Sequence, residues 1–272
     1  MKVYFAEKLL RAGYDFSVAK PNFIELGERK SLIQIPILYE DRSALAIDKP
    51  PGWMLAPTDW LQTSRNLPAA IESSIAAGDF WARARNLKFL RYVHRLDAET
   101  SGVLLFVKSP GAVKAYSELF ETRQAEKIYL AVVRGVPKLT QWVCDLKLAP
   151  IPEQPGKMKV SRTGKEAETH FRVLQTRAAD SGEPLTLVEA RPVTGRTHQI
   201  RIHLAESGCP VVNDFIYGAE ARAKPKASER VPLGLRAVRL SYVDPFSSRR
   251  IEISAPTEGF LRGFGFDVAI GK

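Results

Sequence analysis

Cysteine is scarce: 272 residues carry two, Cys144 and Cys209. Two such thiols make neither a disulfide framework nor a metal-ligand spacing, and a reducing compartment is the expectation. Histidine numbers four. No H-E-x-x-H is present, and His198 and His203 stand five apart rather than the four of a helical zinc pair, so a metal site is not expected. There is no P-loop and no G-x-G-x-x-G, which leaves nucleotide-cofactor chemistry without support. No apolar run approaches the roughly 20 residues that span a bilayer, and the stretch from Met1 to Arg11 lacks the apolar segment of a signal peptide. The expectation is a cytoplasmic protein with no membrane partner, no metal and no cofactor.

Acidic residues are also in deficit. Forty Lys and Arg against thirty Asp and Glu give a net charge of +10. Such a surface attracts polyanions through phosphate contacts and counterion release. It favours an RNA substrate over a neutral or basic metabolite. At 45% hydrophobic and 26% charged, the chain has the balance of a globular protein. Its length allows one large domain or two small ones.

What is present centres on His94-Arg95-Leu96-Asp97-Ala98-Glu99-Thr100-Ser101-Gly102, followed at once by Val103-Leu104-Leu105-Phe106-Val107. The apolar run ends at Lys108-Ser109-Pro110-Gly111 and reads as a buried strand bounded by a turn. A polar loop running straight into a core strand is a common place for chemistry. By composition alone the favoured reading is an ordinary charged connection with a local Arg–Asp ion pair, or with Arg95 ion-paired to Glu99.

Around this centre the pattern predicts further elements. Residues 36–42 and 43–49 read as strands closed by the turn Lys49-Pro50-Pro51-Gly52. Asn66 caps a helix to Ala77, with Leu67, Ile71 and Ile75 at helical spacing and Pro68 tolerated in the first turn. Residues 80–92 interleave Arg83, Arg85, Lys88 and Arg91 with aromatics, suiting either RNA or a solvated basic face. Gly111 to Arg123 reads as a helix and Glu126 to Val133 as a strand, on which Lys127 and Tyr129 share a face. The basic turn-rich stretch 152–165 suits either an RNA contact or a solvated loop. Leu185 to Ala190 reads as a strand, after which Thr197 is a candidate cap for a helix through Leu204. Taken alone, Tyr129 is a core or cross-strand tyrosine and Arg201 a surface helix arginine. Residues 219–230 look like an exposed loop, and 236–242 and 250–254 like late strands.

Several of these stretches together resemble the RluA-type pseudouridine synthases. The H-R-L-D-x-x-T-S-G signature is complete from His94 to Gly102. Lys49-Pro50-Pro51-Gly52 is similar to K-P-x-G, and Lys127 to Ala131 to K-x-Y-x-A. Gly195 to His203 fits G-R-T-H-Q-I/L-R-x-H, and 208–218 fits G-x-P-I-x-x-D-x-x-Y-G with Val211 for the Ile. Three positions depart: Ala56-Pro57 where many relatives have a histidine, Leu235-Arg236-Ala237 for L-H-A, and Asp244-Pro245 for H-P. The resemblance covers roughly residues 36–256.

The resemblance implies an α+β pseudouridine synthase fold with a mixed, largely antiparallel central sheet. It implies a catalytic domain over 36–272 behind an N-terminal extension, 1–35. It implies isomerisation of uridine to pseudouridine in structured ribosomal or transfer RNA, without cofactor, by a monomer. Asp97 becomes the catalytic carboxylate, Arg201 its partner, and Tyr129 the aromatic that stacks on the target base and is a candidate to help move a proton. Arg95, Lys127 and Ile200 become substrate contacts. The reaction breaks a C–N glycosidic bond, turns the base and forms a C–C bond to the same sugar. A carboxylate suits such a carbon centre. Two rivals stand beside this reading: a non-catalytic RNA-binding protein on the same fold, and a hydrolase that would want a second carboxylate, for which Glu99 is the near candidate.

Overall fold

The computed structural model describes residues 20–27, 32–55, 65–178, 182–218 and 231–267. Ala56-Pro57, the loop 219–230 and most of the N-terminal extension lie outside these.

The strands are β1 (Phe23–Leu26), β2 (Ile33–Glu40), β3 (Ala44–Lys49), β4 (Arg91–Tyr92), β5 (Ser101–Val107), β6 (Glu126–Arg134), β7 (Gln141–Cys144), β8 (Leu148–Pro150), β9 (Met158–Val160), β10 (Thr169–Arg177), β11 (Leu185–Pro192), β12 (Leu235–Val243) and β13 (Arg250–Ser254). The helices are α1 (Leu67–Ala77), α2 (Phe80–Arg83), α3 (Val113–Glu121), α4 (Gln199–Glu206) and α5 (Glu258–Gly263). Among the described residues, eleven strands form one sheet in the order β1-β2-β3-β5-β12-β6-β11-β10-β7, with β4 on β5 and β13 on β12. Its pairings are antiparallel except β5 with β12. This is the mixed, largely antiparallel α+β sheet that the signature implied. Strands β8 and β9 form a separate hairpin.

The unbroken apolar run of β5 follows from burial on both faces. Leu104 and Phe106 enter one core with Leu45, Ile47, Leu67, Ile71 and Trp81. Val103, Leu105 and Val107 enter another with Tyr116, Leu119 and Tyr242. On β6 the same alternation sends Tyr129, Ala131 and Val133 to the first core and Leu130 and Val132 to a third. Helix α1 starts where its sequence says. The Asn66 side chain accepts from the Ala69 amide at 3.2 Å, and Gly78 closes the helix in the left-handed conformation, the cap that glycine supplies without a Cβ penalty. At α4 the cap is His198, in a left-handed conformation at φ 56°, and not Thr197. The Gln199 side chain instead accepts from the Arg196 amide at 3.0 Å.

The parallel junction explains the last signature residue. Gly102 pairs with Ala237 of β12 and has φ +113°, and a Cβ there would lie 1.9 Å from the Ala237 carbonyl oxygen. Gly102→Ala is therefore expected to lower unfolding stability by roughly 2–5 kcal/mol through strain and overpacking. Urea denaturation of the purified variant checks this, and a midpoint equal to wild type would contradict it.

Candidate active site

The loop from His94 to Thr100 is held from three directions. Lys49, fully buried at the end of β3, donates from Nζ to the carbonyls of Ala98 at 2.8 Å, Thr100 at 2.9 Å and Pro50 at 3.0 Å. The Gly52 amide donates to the Ala98 carbonyl at 2.8 Å. So Lys49 to Gly52 is more than a Pro/Gly turn: its lysine and glycine grip the loop. Burial draws the Lys49 ammonium down to about 7, while Glu99 and Asp97 pull it back up. On the loop's N-terminal side, His94 Nε2 accepts from the Leu105 amide at 3.0 Å and the ring stacks on Phe120. Beneath it, Arg236 of β12 donates to Asp48 at 2.7 Å, to Ser101 Oγ at 3.2 Å and to the Pro256 carbonyl at 2.9 Å. Arg236 departs from the family pattern far from the signature in sequence, yet it touches the signature's serine.

The loop presents Asp97 to α4. Arg201 Nη1 donates to Asp97 Oδ2 at 3.3 Å. The same guanidinium makes two shorter bonds to Asp214, Nε to Oδ2 at 2.8 Å and Nη2 to Oδ1 at 2.7 Å. Asp214 Oδ1 also accepts the amides of Ile216 and Tyr217 at 2.9 and 3.0 Å. Arg201 and Asp214 are both buried, so Arg201 is no surface helix arginine. Burial works to raise the Asp214 carboxyl, but the Arg201 bonds, the Arg201 charge and the two amides overcome it and hold it below the usual range. Against its own burial, Arg201 is pushed above the ordinary guanidinium value, by Asp214 first and then Asp97. The Tyr217 ring lies under the guanidinium at 5.3 Å, within cation–π range.

His198 Nε2 stands 3.9 Å from Asp97 Oδ1. Its Nδ1 is 2.8 Å from the Tyr217 hydroxyl, which itself accepts from the Met158 amide at 3.0 Å. Tyr217 thereby ties the β8–β9 hairpin to the site. Gln199 and His203 of the α4 block are structural. Gln199 bonds Thr194 Oγ1, the Arg196 amide, the Glu168 carbonyl and Thr169 Oγ1. His203 bonds Thr169 Oγ1 and the Leu146 carbonyl at 3.0 Å each.

Asp97, Arg95, Lys127, Tyr129, Ile200 and Arg201 all line one cavity of about 590 Å³. All six residues singled out in the sequence thus meet in one place. Tyr129 is buried, between Ala190 on one neighbouring strand and Ala237 on the other, and small neighbours leave its ring room. It is a cross-strand tyrosine and a cavity wall at once. Burial, then the Asp97 charge, push its phenol above the ordinary value. Lys127 lies two residues away on the same face, and burial draws its ammonium down to about 8. Ile200 is buried and Arg95 is exposed at the mouth. Asp214, His198, Tyr217 and Lys49 went unassigned in the sequence as site residues, although Asp214 and Tyr217 are fixed positions of the 208–218 block. The cavity can bind a nucleotide-sized group, hold a carboxylate against a fixed cation, and stack a planar ring.

A family model described as RNA pseudouridylate synthase matches residues 43–206. The chain is 34% identical to the Ribosomal large subunit pseudouridine synthase C of Vibrio cholerae, over 83% of this chain and 66% of that protein. An uncharacterized RNA pseudouridine synthase of Bacillus subtilis is 31% identical, over 86% and 74%. The chain spans about two thirds of the length of the Vibrio cholerae and Yersinia pestis relatives, 66% and 67%. Among solved structures, Human RNA Pseudouridylate Synthase Domain Containing 1 superposes with a TM-score of 0.65 at 23% identity, covering 86% of this chain and 87% of its own.

The way His94 is held gives a pH test. Burial, and then the Lys127 charge, draw its pKa from 6.5 to about 3. Below about pH 6.5 the unfolded chain gains a proton that the folded chain refuses. This contribution to stability is therefore complete above about pH 6.5 and falls towards pH 3, by up to ~1.4 kcal/mol per pH unit. Urea unfolding from about pH 7 to 4 should show that decline, and His94→Gln should flatten it. An equal slope in the variant would place the acid sensitivity elsewhere.

Proposed function

Because the chain belongs to the RNA pseudouridylate synthase family, we propose that it isomerises uridine to pseudouridine in structured RNA, with the Asp97 carboxylate as the reacting group. The observation that carries the reading is the placement of Asp97. Its carboxylate faces a nucleotide-sized cavity while a buried guanidinium, itself fixed by Asp214, bonds it from behind. The isomerisation is redox-neutral and adds no group, so its chemistry asks for a positioned carboxylate and a turned base.

The target uridine must leave its stack, at a cost of roughly a few kcal/mol. The extruded base stacks on Tyr129, with Ile200 against its edge. Arg201 orients the Asp97 carboxylate through its hydrogen bond in a partly dry site. Arg95, exposed at the mouth, contacts the flipped nucleotide or takes its place in the RNA. Ribosomal RNA is the favoured substrate over transfer RNA, on the strength of the relatives named for the large ribosomal subunit. Action as a monomer in the cytoplasm, and the division into an extension over 1–35 and a catalytic domain over 36–272, belong to the same proposal. No described helix is long and apolar enough to cross a membrane.

Pseudouridine mapping of total RNA, from cells lacking the protein and complemented with wild type or Asp97→Asn, tests the reading. Sites that vanish with the protein and return only with wild type are expected, and they name the substrate. Unchanged sites in every strain would overturn the reading and favour an RNA-binding protein without catalysis. Release of free uracil would favour a hydrolase.

A further inference from the structure

Isomerisation needs a proton acceptor as well as the Asp97 carboxylate, which Arg201 bonds. When C5 of the released uracil attacks the sugar, the electron pair of the C5=C6 bond forms C5–C1′ and C6 becomes double-bonded to N1. C5 is then tetrahedral and still carries its hydrogen. To finish, the C5–H pair must rebuild C5=C6, the C6=N1 pair must move onto N1, and N1 must take a proton from water. A base has to remove the C5 proton.

Most groups lining the cavity are unsuited to that step. Guanidinium groups stay protonated. The Tyr129 phenol, pushed upward by burial and by Asp97, keeps its proton at neutral pH. The acceptor nitrogen of His94 is taken by the Leu105 amide. Both ring nitrogens of His198 face groups of their own, Nδ1 the Tyr217 hydroxyl at 2.8 Å and Nε2 the Asp97 carboxylate at 3.9 Å. Glu121 is solvent-exposed at the rim.

Lys127 is different. It faces the cavity from the strand and face that carry Tyr129, about 7 Å along β6, beside any ring stacked there. No carboxylate pairs with it among the described residues, and its ammonium is drawn down to about 8 by burial alone. Burial thus shifts Lys127 towards the free amine, close to the range where a general base works best.

We propose that Lys127 is a catalytic residue, its amine taking the C5 proton from the base stacked on Tyr129. The inference rests on the synthase reading above. It takes Lys127 beyond binding and limits Tyr129 to stacking.

The test uses the purified full chain in excess over a transcribed fragment of large-subunit ribosomal RNA that carries the mapped uridine, unlabelled or deuterated at C5. Single-turnover pseudouridine formation is followed for wild type, Lys127→Met and Lys127→Arg, with RNA affinity measured alongside. Both variants are expected to slow turnover at least ~100-fold and to show a larger C5 deuterium isotope effect than wild type. Lys127→Arg, which keeps the cation, is expected to retain RNA affinity. Restored turnover in Lys127→Arg, or slowing with no rise in the isotope effect, would overturn the proposal and leave Lys127 a binding residue. Failure of wild type to form pseudouridine would instead defeat the synthase reading itself.

Discussion

The site depends on one buried ion pair. Arg201 and Asp214 meet through two short bonds, and both are almost wholly removed from solvent. Desolvating two charges is costly, and the attraction between them offsets the cost only when geometry and further hydrogen bonds are good. Here the Ile216 and Tyr217 amides satisfy Asp214, and the remaining guanidinium nitrogen is left to reach Asp97. The pair therefore acts less as a source of stability than as a fixture: it sets where a positive charge stands and which way it points. Removing either partner would strand the other, a loss of about 3–5 kcal/mol in comparable cases.

A second buried side chain works from the opposite side. Lys49 supplies three donors to three loop and turn carbonyls, so the backbone around Asp97 is fixed by a side chain 48 positions earlier in the chain. Arg236 ties Asp48, the neighbour of Lys49, to Ser101 at the start of β5. The loop is thus anchored to β3, to β12 and to α4. A carboxylate held this way loses little freedom when it meets its substrate, which is how positioning lowers a barrier.

Strand β5 was legible in the sequence because burial on both faces leaves an unbroken apolar run, and α1 because its cap, first-turn proline and the helical spacing of Leu67, Ile71 and Ile75 all agree. Helix α4 was harder. Residues 199–204 are all buried, so no polar face marks the helix phase, and its start is set by a left-handed His198 rather than by a side-chain cap. The pairing of Asp97 with Arg201 came only from family resemblance, since 104 residues separate them and no local pattern links such positions. Asp214 and Tyr217 stood in a recognised block, yet an aspartate and a tyrosine in a short loop look like turn chemistry until the fold folds them under α4. Arg236 shows the same limit: register across a parallel strand pair, invisible to periodicity, brings it to the signature.

The central claim is that the Arg201–Asp214 pair acts through Asp97 on the chemical step. Its most direct measurement is the single-turnover rate of pseudouridine formation at saturating protein for Asp214→Asn, with RNA affinity and folding checked by binding and circular dichroism. The account predicts a folded variant that binds RNA as wild type does but forms pseudouridine at least ~10-fold more slowly, because a neutral amide no longer fixes the guanidinium against Asp97. A folded variant with the wild-type rate would contradict it.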